Sequence, residues 1–160
     1  MTIRPIQQAD NQPLADVIRA VFREFGIDRP GTVYTDPTTD RLYELFREPG
    51  SVYWVAEKDG VIMGGCGLYP TPGLPPGCAE LVKFYLARSV RGQGAGRQLM
   101  QRSVESAREL GYAQLYLESF PELAQAVSMY EKAGFQPLEG PLGNSGHYAC
   151  TIWMLKEMEG

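Results

Sequence analysis

The feature of this sequence that most restricts its fold is a glycine-rich turn within residues 89–100, which read Ser-Val-Arg-Gly-Gln-Gly-Ala-Gly-Arg-Gln-Leu-Met. An apolar run typical of a strand, residues 81–86, precedes the turn, and helical periodicity follows it. Glycine lets backbone N–H groups turn outward and lets a ligand approach without a Cβ in the way. At a helix N-terminus such groups favour an anion, and Arg91 and Arg97 add positive charge. The turn is therefore predicted to bind phosphate.

The spacing of the glycines decides which phosphate ligand the turn fits. A dinucleotide fingerprint, Gly-x-Gly-x-x-Gly, needs a third glycine where Arg97 stands, and a nucleotide P-loop needs Gly-Lys-Ser/Thr at its end. The pattern Arg/Gln-x-x-Gly-x-Gly/Ala is matched instead by Arg91, Gly92, Gln93, Gly94, Ala95 and Gly96. In this the turn resembles the acetyl-CoA pyrophosphate loop of the GNAT superfamily of N-acetyltransferases. The alternative is an ordinary glycine-rich turn between a strand and a helix.

Length and composition limit the class of protein. A chain of 160 residues is expected to form a single domain over residues 1–160, with a core of its own. The formal net charge of −4 argues against nucleic acid as the main partner. No signal-like or membrane-length apolar run occurs, so we expect a cytoplasmic protein without a membrane partner. Three widely spaced cysteines and a single histidine indicate neither a disulfide framework nor a metal site.

Residue periodicity predicts two helices, three antiparallel strands and then alternating strands and helices. The strands are expected at residues 2–6, 52–56, 61–69, 78–86, 113–118, 135–138 and 148–155. The helices are expected from Asp10 to Gly26, from Asp36-Pro37 to Pro49-Gly50, from the glycine-rich turn to Gly111, and from Pro121 to Gly134. Asp59-Gly60 is a strong hairpin signal between the second and third strands. This order predicts a mixed-sheet α/β domain.

A second motif follows the glycine-rich turn at residues 126–135, which read Ala-Val-Ser-Met-Tyr-Glu-Lys-Ala-Gly-Phe. It resembles the Ala-x-x-x-Tyr-Glu-Lys-x-Gly-Phe motif of the same superfamily, and the order of predicted elements is the GNAT order. The resemblance implies a mixed, mostly antiparallel central sheet flanked by about four helices. One position departs from it, because many relatives carry a cofactor-contacting asparagine where this chain has Leu123. That contact is either missing or supplied by a neighbour such as Glu122 or Gln125.

The resemblance also implies how acetyl-CoA is held. Its pantetheine arm is expected along the strand before the glycine-rich turn, bonded to the main chain chiefly at Leu86. The N–H group of Phe84 would then face the thioester carbonyl as an oxyanion donor, a role that typically contributes about 3–4 kcal/mol to acyl transfer. The pyrophosphate is expected on the seven residues of the turn: Arg91, Gly92, Gln93, Gly94, Ala95, Gly96 and Arg97.

Two side chains are expected to carry the chemistry. Glu80 stands six residues before Leu86, where relatives place a catalytic glutamate, and is the candidate general base. At roughly 3.3 Å per residue it lies about 13 Å from Phe84, so a relay through ordered water is expected. Tyr130 is the candidate general acid for the departing thiolate. The alternatives are a surface carboxylate at the strand start and a tyrosine packed on a helix face with its hydroxyl at the surface.

The predicted activity is direct transfer of an acetyl group from acetyl-CoA to the primary amine of a small or amino-acid-like acceptor. Two alternatives remain, an acyl-CoA-binding regulatory module without transfer activity and an acetyltransferase acting on protein amines. The acceptor pocket is expected from the first two helices, the loop between them and residues 141–148. His147 either lines that pocket or is structural, and Cys150 is expected as a small buried side chain. Many members of the superfamily form dimers, and a homodimer stays open here.

Overall fold

The computed structural model of the chain describes residues 1–158, which fold into one seven-stranded sheet with helices on both faces. The strands are β1 (Thr2–Pro5), β2 (Val52–Lys58), β3 (Val61–Tyr69), β4 (Cys78–Leu86), β5 (Gln114–Ser119), β6 (Gln136–Pro137) and β7 (Ile152–Glu157). The helices are α1 (Asn11–Glu24), the single turn α2 (Leu42–Leu45), α3 (Ala95–Glu109) and α4 (Ala124–Lys132). The predicted α/β class is confirmed.

The strand order across the sheet is β1-β2-β3-β4-β5-β7-β6. Each pair of neighbours is antiparallel except β4 and β5, which run parallel because α3 crosses over between them. The mostly antiparallel sheet implied by the family resemblance is therefore also confirmed. The last residues of β4 lead directly into the glycine-rich turn, which places that turn beside the middle of the sheet.

Two apolar layers cover the two faces of the sheet. On one face α1 lies against β3 and β4, and its apolar stripe (Leu14, Ile18 and Phe22) forms one cluster with side chains of β2, α2 and the loop between α1 and α2. On the other face α3 and α4 pack against the central strands through Leu99, Met100 and Tyr130. Both faces of the central strands are buried, which explains why β3 and β4 read as nearly continuous apolar runs.

The parallel pair β4 and β5 is joined over only three residues. Cys78, Ala79 and Glu80 face Gln114, Leu115 and Tyr116, and within the described part of the chain the recorded pairing ends there. Residues 81–86 of β4 and 117–119 of β5 continue as strands with a cavity between them. We call this cavity the cleft. The side chains that line it come from β4 and β5, from α4 and from the loops beside them.

Two predicted elements, and the predicted role of Asp10 as a helix cap, differ from the structure. The helix expected from Asp36 is a 3-10 turn (Pro37–Asp40) followed by α2, because Arg41 leaves the helical conformation with φ −137°. The last strand begins at Ile152 rather than at residue 148. Asp10 immediately precedes α1 as expected, but its carboxylate accepts from Arg4 and from the N–H of Gln7 instead of capping that helix. In residues 1–158 no helix is both long and apolar enough to span a membrane.

Candidate active site

Glu80 lies at the point where β4 and β5 separate. The side chain is 3% exposed, so the alternative of a surface carboxylate is wrong. Its Oε1 accepts a hydrogen bond of 2.6 Å from the hydroxyl of Thr71. Burial raises the pKa of Glu80 to about 7, with the nearby charge of Glu118 acting in the same direction. A carboxylate with a pKa near neutrality can accept a proton at physiological pH.

Tyr130 lines the same cleft from α4. Its ring packs against Phe84 of β4 with a centroid separation of 6.1 Å and against Phe135 at 5.9 Å. The residue is 7% exposed, so its ring belongs to the core and not to the surface. Burial raises the pKa of Tyr130, which keeps the phenol protonated and able to donate at neutral pH. Phe84 and Tyr130, predicted from separate motifs, thus meet on one side of the cleft.

A second cavity, the outer cavity, adjoins the cleft and has a volume of about 160 Å³. Glu80, Val82, Lys83 and His147 line both cavities, so the two spaces share one wall. Most of the remaining wall comes from connecting segments in three parts of the chain: Asp36, Thr38, Thr71, Pro72, Asn144, Ser145 and His147. Leu45, Tyr69 and Val82 complete it. The predicted contribution of the loop after the first helix and of residues 141–148 to one pocket fits this arrangement.

Lys83, Asp36 and His147 form a polar cluster in the outer cavity. The Nε2 atom of His147 lies 2.8 Å from Oδ2 of Asp36, and Nζ of Lys83 lies 3.8 Å from the same oxygen. Burial lowers the pKa of the Lys83 ammonium, partly opposed by the charges of Asp36 and Glu80. Burial acts to raise the pKa of Asp36, but the bond from His147 and the charge of Lys83 outweigh it and hold that pKa below its usual range.

Sequence reasoning did not identify Lys83 as part of the site. A signal was present, because Lys83 is the one charged residue in the apolar run of residues 81–86, and a lysine inside a buried strand needs a partner. Asp36 was predicted as a helix cap, and it does accept from the N–H of Thr38 at 2.9 Å. Its bond with His147 joins positions 111 residues apart and could not be read from local sequence.

Glu118 and Cys150 complete the wall of the cleft. Glu118 accepts hydrogen bonds from Tyr116 at 2.7 Å and from Ser145 at 2.5 Å, which fix its carboxylate beside the loop of residues 141–151. Cys150 is buried, as expected, and burial raises the pKa of its thiol to about 12. A thiol of that kind stays protonated and is a poor nucleophile. Among residues 1–158 no group of three or more His, Cys, Asp or Glu side chains could hold a metal ion.

The glycine-rich turn leads into α3 with two glycines in the left-handed conformation. Gly92 has φ +80°, and Gly94, the N-cap of α3, has φ +85°. A Cβ added at either position would have nothing within 4 Å, so the backbone conformation, and not crowding, requires glycine here. The first N–H groups of α3 have no partners inside the helix. The turn therefore offers main-chain donors and a helix N-terminus to an anion.

The side chain of Arg91, expected to pair with phosphate, lies elsewhere in the structure. It forms a two-bond ion pair with Glu24 at the end of α1, at 2.7 and 2.9 Å, and donates to the carbonyl of Leu86 at 3.0 and 3.2 Å. Its guanidinium also lies 5.1 Å from the ring centre of Phe25. This arrangement connects β4, the turn and α1. Arg97, in the first turn of α3, is exposed.

Leu123, the position where relatives carry asparagine, lies just before α4 and lines the cleft with an apolar side chain. Of the two neighbours considered as substitutes, Glu122 lies 3.6 Å from Arg29, and Gln125 is exposed. Glu122 thus already has a partner in the structure. The wall of the cleft at this position is apolar.

Comparison with known proteins gives one consistent result. A sequence model described as "Acetyltransferase (GNAT) family" matches residues 16–135. An uncharacterized N-acetyltransferase of Escherichia coli (strain K12), YjgM, is 37% identical over 157 residues, which is 98% of this chain and 94% of that protein. Rat N-acetyltransferase 8B is 37% identical over 77% of this chain, but the match spans only 53% of the rat protein.

Solved structures show the same fold. A GNAT-family acetyltransferase from Staphylococcus aureus Mu50 superposes with a TM-score of 0.87, covering 99% of each chain at 17% identity. The PaiA N-acetyltransferase from Thermoplasma acidophilum, solved in complex with coenzyme A, superposes with a TM-score of 0.73. That match covers 98% of this chain and 99% of the other, again at 17% identity. At such identities the likeness concerns the fold.

Proposed function

This chain belongs to the GNAT family of acetyltransferases, and from that premise we propose that it transfers the acetyl group of acetyl-CoA to the primary amine of a small, amino-acid-like molecule. The observation that carries the proposal is that two buried titratable groups line one cleft. Glu80, with a pKa near 7, can accept a proton, and Tyr130, with a raised pKa, can donate one. Acyl transfer to an amine needs both steps.

Acetyl-CoA fits the shape of the site at two places. The glycine-rich turn supplies outward N–H groups at the start of α3, with Arg97 as an exposed positive charge for the pyrophosphate. The separated edges of β4 and β5 leave main-chain groups of residues 81–86 available for the amides of the pantetheine arm. The Leu86 carbonyl already accepts hydrogen bonds from Arg91. We therefore assign the contact of Leu86 with the pantetheine arm to its main-chain N–H. Arg91 holds the turn in place.

Residues of the chain then divide the proton transfers between them. Glu80 takes a proton from the acceptor amine through ordered water, because an amine with a pKa of about 10 is mostly protonated at neutral pH. The freed lone pair attacks the thioester carbon, and the N–H of Phe84 donates to the oxyanion that develops there. The carbon–sulfur bond breaks, and Tyr130 gives its proton to the departing thiolate. The attacking nitrogen loses its second proton to solvent water, and water returns a proton to the Tyr130 phenolate. Acetyl-CoA supplies the activated acetyl group.

The side chains of the outer cavity favour a small acceptor that carries both an ammonium group and a carboxylate. Asp36 and Glu80 can attract an ammonium group, and Lys83 and His147 lie beside them for a carboxylate. A volume of about 160 Å³ suits a molecule of amino-acid size better than a protein surface. A protein acceptor would have to enter the same space with one side chain.

Calorimetric titration with acetyl-CoA tests the proposal, with NADH and ATP as controls. Micromolar affinity for acetyl-CoA alone supports the assignment of the turn, and a panel of amines followed by thiol release then tests for transfer. Equal affinity for NADH, or no affinity for acetyl-CoA, contradicts the proposal. Affinity without thiol release from any amine favours the regulatory acyl-CoA-binding module. Release with peptides only, and not with small amines, favours protein acetylation.

A further inference from the structure

The side chain of Tyr53 connects two strands that are not neighbours in the sheet. Tyr53 lies on β2, and its hydroxyl donates a hydrogen bond of 2.8 Å to the main-chain carbonyl of Lys83 on β4. The intervening strand is β3. The side chain is 1% exposed, and Phe46 packs against its ring with a centroid separation of 4.9 Å. A fixed ring thus carries the hydroxyl across β3.

Strand β3 has glycine at both points where this ring passes. A Cβ added at Gly67 would lie 2.6 Å from Cδ2 of Tyr53, and one added at Gly65 would overlap with Cε1 of the same ring. Neither glycine is in the left-handed conformation. The carbonyls of Trp54 and Val52 on β2 would also lie 2.6 and 2.7 Å from these added Cβ atoms. Space for the ring and for β2, rather than backbone conformation, therefore requires glycine at these two positions. The absence of side chains at these glycines leaves room for the Tyr53 ring to reach from β2 to β4.

The bond ends on an irregular segment of β4. Gly65 faces Tyr85 and Gly67 faces Val82, so a step of two residues on β3 spans three residues on β4. The extra residue forms a bulge in which Lys83 has φ +51°, a conformation that side-chain-bearing residues rarely adopt. Bulges change the direction of nearby peptide groups. Here the affected peptide is the one between Lys83 and Phe84.

We infer that Tyr53 is a positioning residue for acyl transfer, which orients the N–H of Phe84 by holding the carbonyl of Lys83. The two groups belong to one planar trans peptide, so they point in opposite directions. A carbonyl fixed toward Tyr53 leaves the Phe84 N–H directed away from it, on a residue that lines the cleft. This inference rests on the proposed function, in which that N–H is the oxyanion donor.

The hydroxyl of Tyr53 keeps its donor role over the working pH range. Burial raises the pKa of this tyrosine well above its ordinary value. The phenol therefore stays protonated and can hold the carbonyl wherever the protein is folded. Its contribution to the orientation of the bulge is expected to be independent of pH.

The variant Tyr53→Phe tests this role, with Tyr112→Phe as the matched control. Tyr112 also donates its hydroxyl to a main-chain carbonyl, that of Gly50 at 2.6 Å, outside both cavities. Each variant loses one oxygen atom and one hydrogen bond, so Tm is expected to fall by about 2–4 °C in both. Only Tyr53→Phe is expected to lower kcat, by about tenfold. Removal of an oxyanion donor lowers kcat by about 10²–10³-fold, and this variant keeps the Phe84 N–H but no longer holds its orientation.

Calorimetric affinity for acetyl-CoA and the KM of the acceptor separate positioning from a general loss of structure. Both are expected to stay within about threefold of wild type in Tyr53→Phe, because the oxyanion forms only as the reaction proceeds. A kcat loss no larger than that of Tyr112→Phe overturns the inference. So does a loss that appears only in affinity or KM. A wild-type protein that neither binds acetyl-CoA nor releases thiol overturns the proposed function, and the inference with it.

A measurement on the wild-type protein covers the case in which Tyr53→Phe does not fold. The amide of Phe84 is expected to exchange rapidly with solvent in the free protein, although it lies in a central strand. Its proton resonance is expected to shift when acetyl-CoA binds, and less when CoA without the acetyl group binds. Slow exchange in the free protein, or an equal shift with both ligands, overturns the inference.

Discussion

At the scale of single residues, burial gives Glu80 properties that its sequence neighbours do not reveal. An exposed glutamate titrates near 4.3, where it would be a weak base at neutral pH. In the structure the carboxyl group has one hydroxyl partner, Thr71, and a second carboxylate, Glu118, near enough to act on it. Its pKa of about 7 follows mainly from the loss of water. The environment thus turns an ordinary side chain into a suitable base.

Replacement of this base, Glu80→Gln, is expected to lower kcat by about 10²–10⁴-fold. In wild type Glu80 is protonated and inactive below its pKa, so the slope of log kcat/KM against pH is expected to fall by one at about pH 7. That break should disappear in Glu80→Gln. The exposed Glu105→Gln on α3 serves as control and should keep it. Steady-state assays from pH 5.5 to 9 in which both variants show the same break would contradict the role of Glu80.

Tyr130→Phe is expected to lower kcat by about 10²-fold through loss of the proton donor. Because burial raises the pKa of Tyr130, wild-type activity should show no falling limb from this residue up to about pH 10. The ring contacts with Phe84 and Phe135 remain in the variant, so the free energy of unfolding should change by less than about 1.5 kcal/mol. Thiol release assays and urea unfolding check the two effects separately. An unchanged kcat would leave Tyr130 only its packing role.

The sequence predicted the identity of Glu80 and Tyr130 as candidates because each stands at a fixed distance from a recognisable motif. Lys83 and Asp36 were not predicted as a pair, since their interaction depends on a bulge and on a loop that packs from elsewhere. A lysine inside an apolar run indicates that the buried ammonium has a partner, but the run does not identify that partner. Sequence motifs therefore predict functional residues at a fixed spacing from the motif, but not residues that a bulge or a distant loop brings together.

At the scale of structural elements, Arg91 connects the glycine-rich turn to α1. Its guanidinium lies between Glu24 and the Leu86 carbonyl, which places the end of α1, the end of β4 and the turn in fixed relation. The flanking arginine was interpreted from sequence as a phosphate ligand because charge next to glycines usually indicates one. Glu24, 67 residues away, competes for that charge in the folded protein. A long-range partner of this kind has no local signal.

We expect Arg91→Lys to change stability but not acetyl-CoA affinity, and Arg97→Gln to change affinity but not stability. Arg91→Lys breaks the two-bond ion pair and should lower the free energy of unfolding by about 1 kcal/mol, with acetyl-CoA affinity within about threefold of wild type. Arg97→Gln should leave stability unchanged and weaken acetyl-CoA affinity by about threefold to tenfold, with a smaller dependence on salt. Urea unfolding and calorimetry at two salt concentrations measure both quantities.

Arg108→Gln, an exposed charge near the other end of α3, is the control for both arginine variants and should resemble wild type. A large loss of acetyl-CoA affinity in Arg91→Lys without loss of stability would show that this side chain contacts phosphate after all. Equal salt dependence in Arg97→Gln and wild type would remove Arg97 from the phosphate site.

At the scale of the whole molecule, the sheet is interrupted at its centre. Strands β1–β4 form one paired group and β5–β7 another, and in the described residues the two groups share three residue pairs. The order of elements and their type were predictable because helix and strand periods alternate clearly along the chain. The separation of β4 from β5 was not, because pairing between distant segments depends on how α3 and the loops pack.

Binding of acetyl-CoA in this gap should stabilise the whole fold. At a ligand concentration of 100 times Kd, linkage adds about 2.7 kcal/mol to the free energy of unfolding, which raises Tm by about 5–10 °C for a domain of this size. Amide exchange in residues 81–86 and 117–119 should slow at the same time. Thermal scans with NADH at the same concentration serve as control. A shift of equal size with NADH would contradict selective binding in the gap.

The passage of Tyr53 over Gly65 and Gly67 has a consequence for how such a chain can vary during evolution. The three positions constrain one another, because any side chain on β3 at these points collides with the ring. Alanine or serine at 65 or 67 would require loss of the aromatic ring at 53 together with a shift of β2, whose carbonyls at Trp54 and Val52 lie 2.6 and 2.7 Å from the added Cβ atoms. Another group would then have to hold the bulge. Substitutions at these three sites should therefore occur together among descendants, although 12 to 14 residues separate them in the chain.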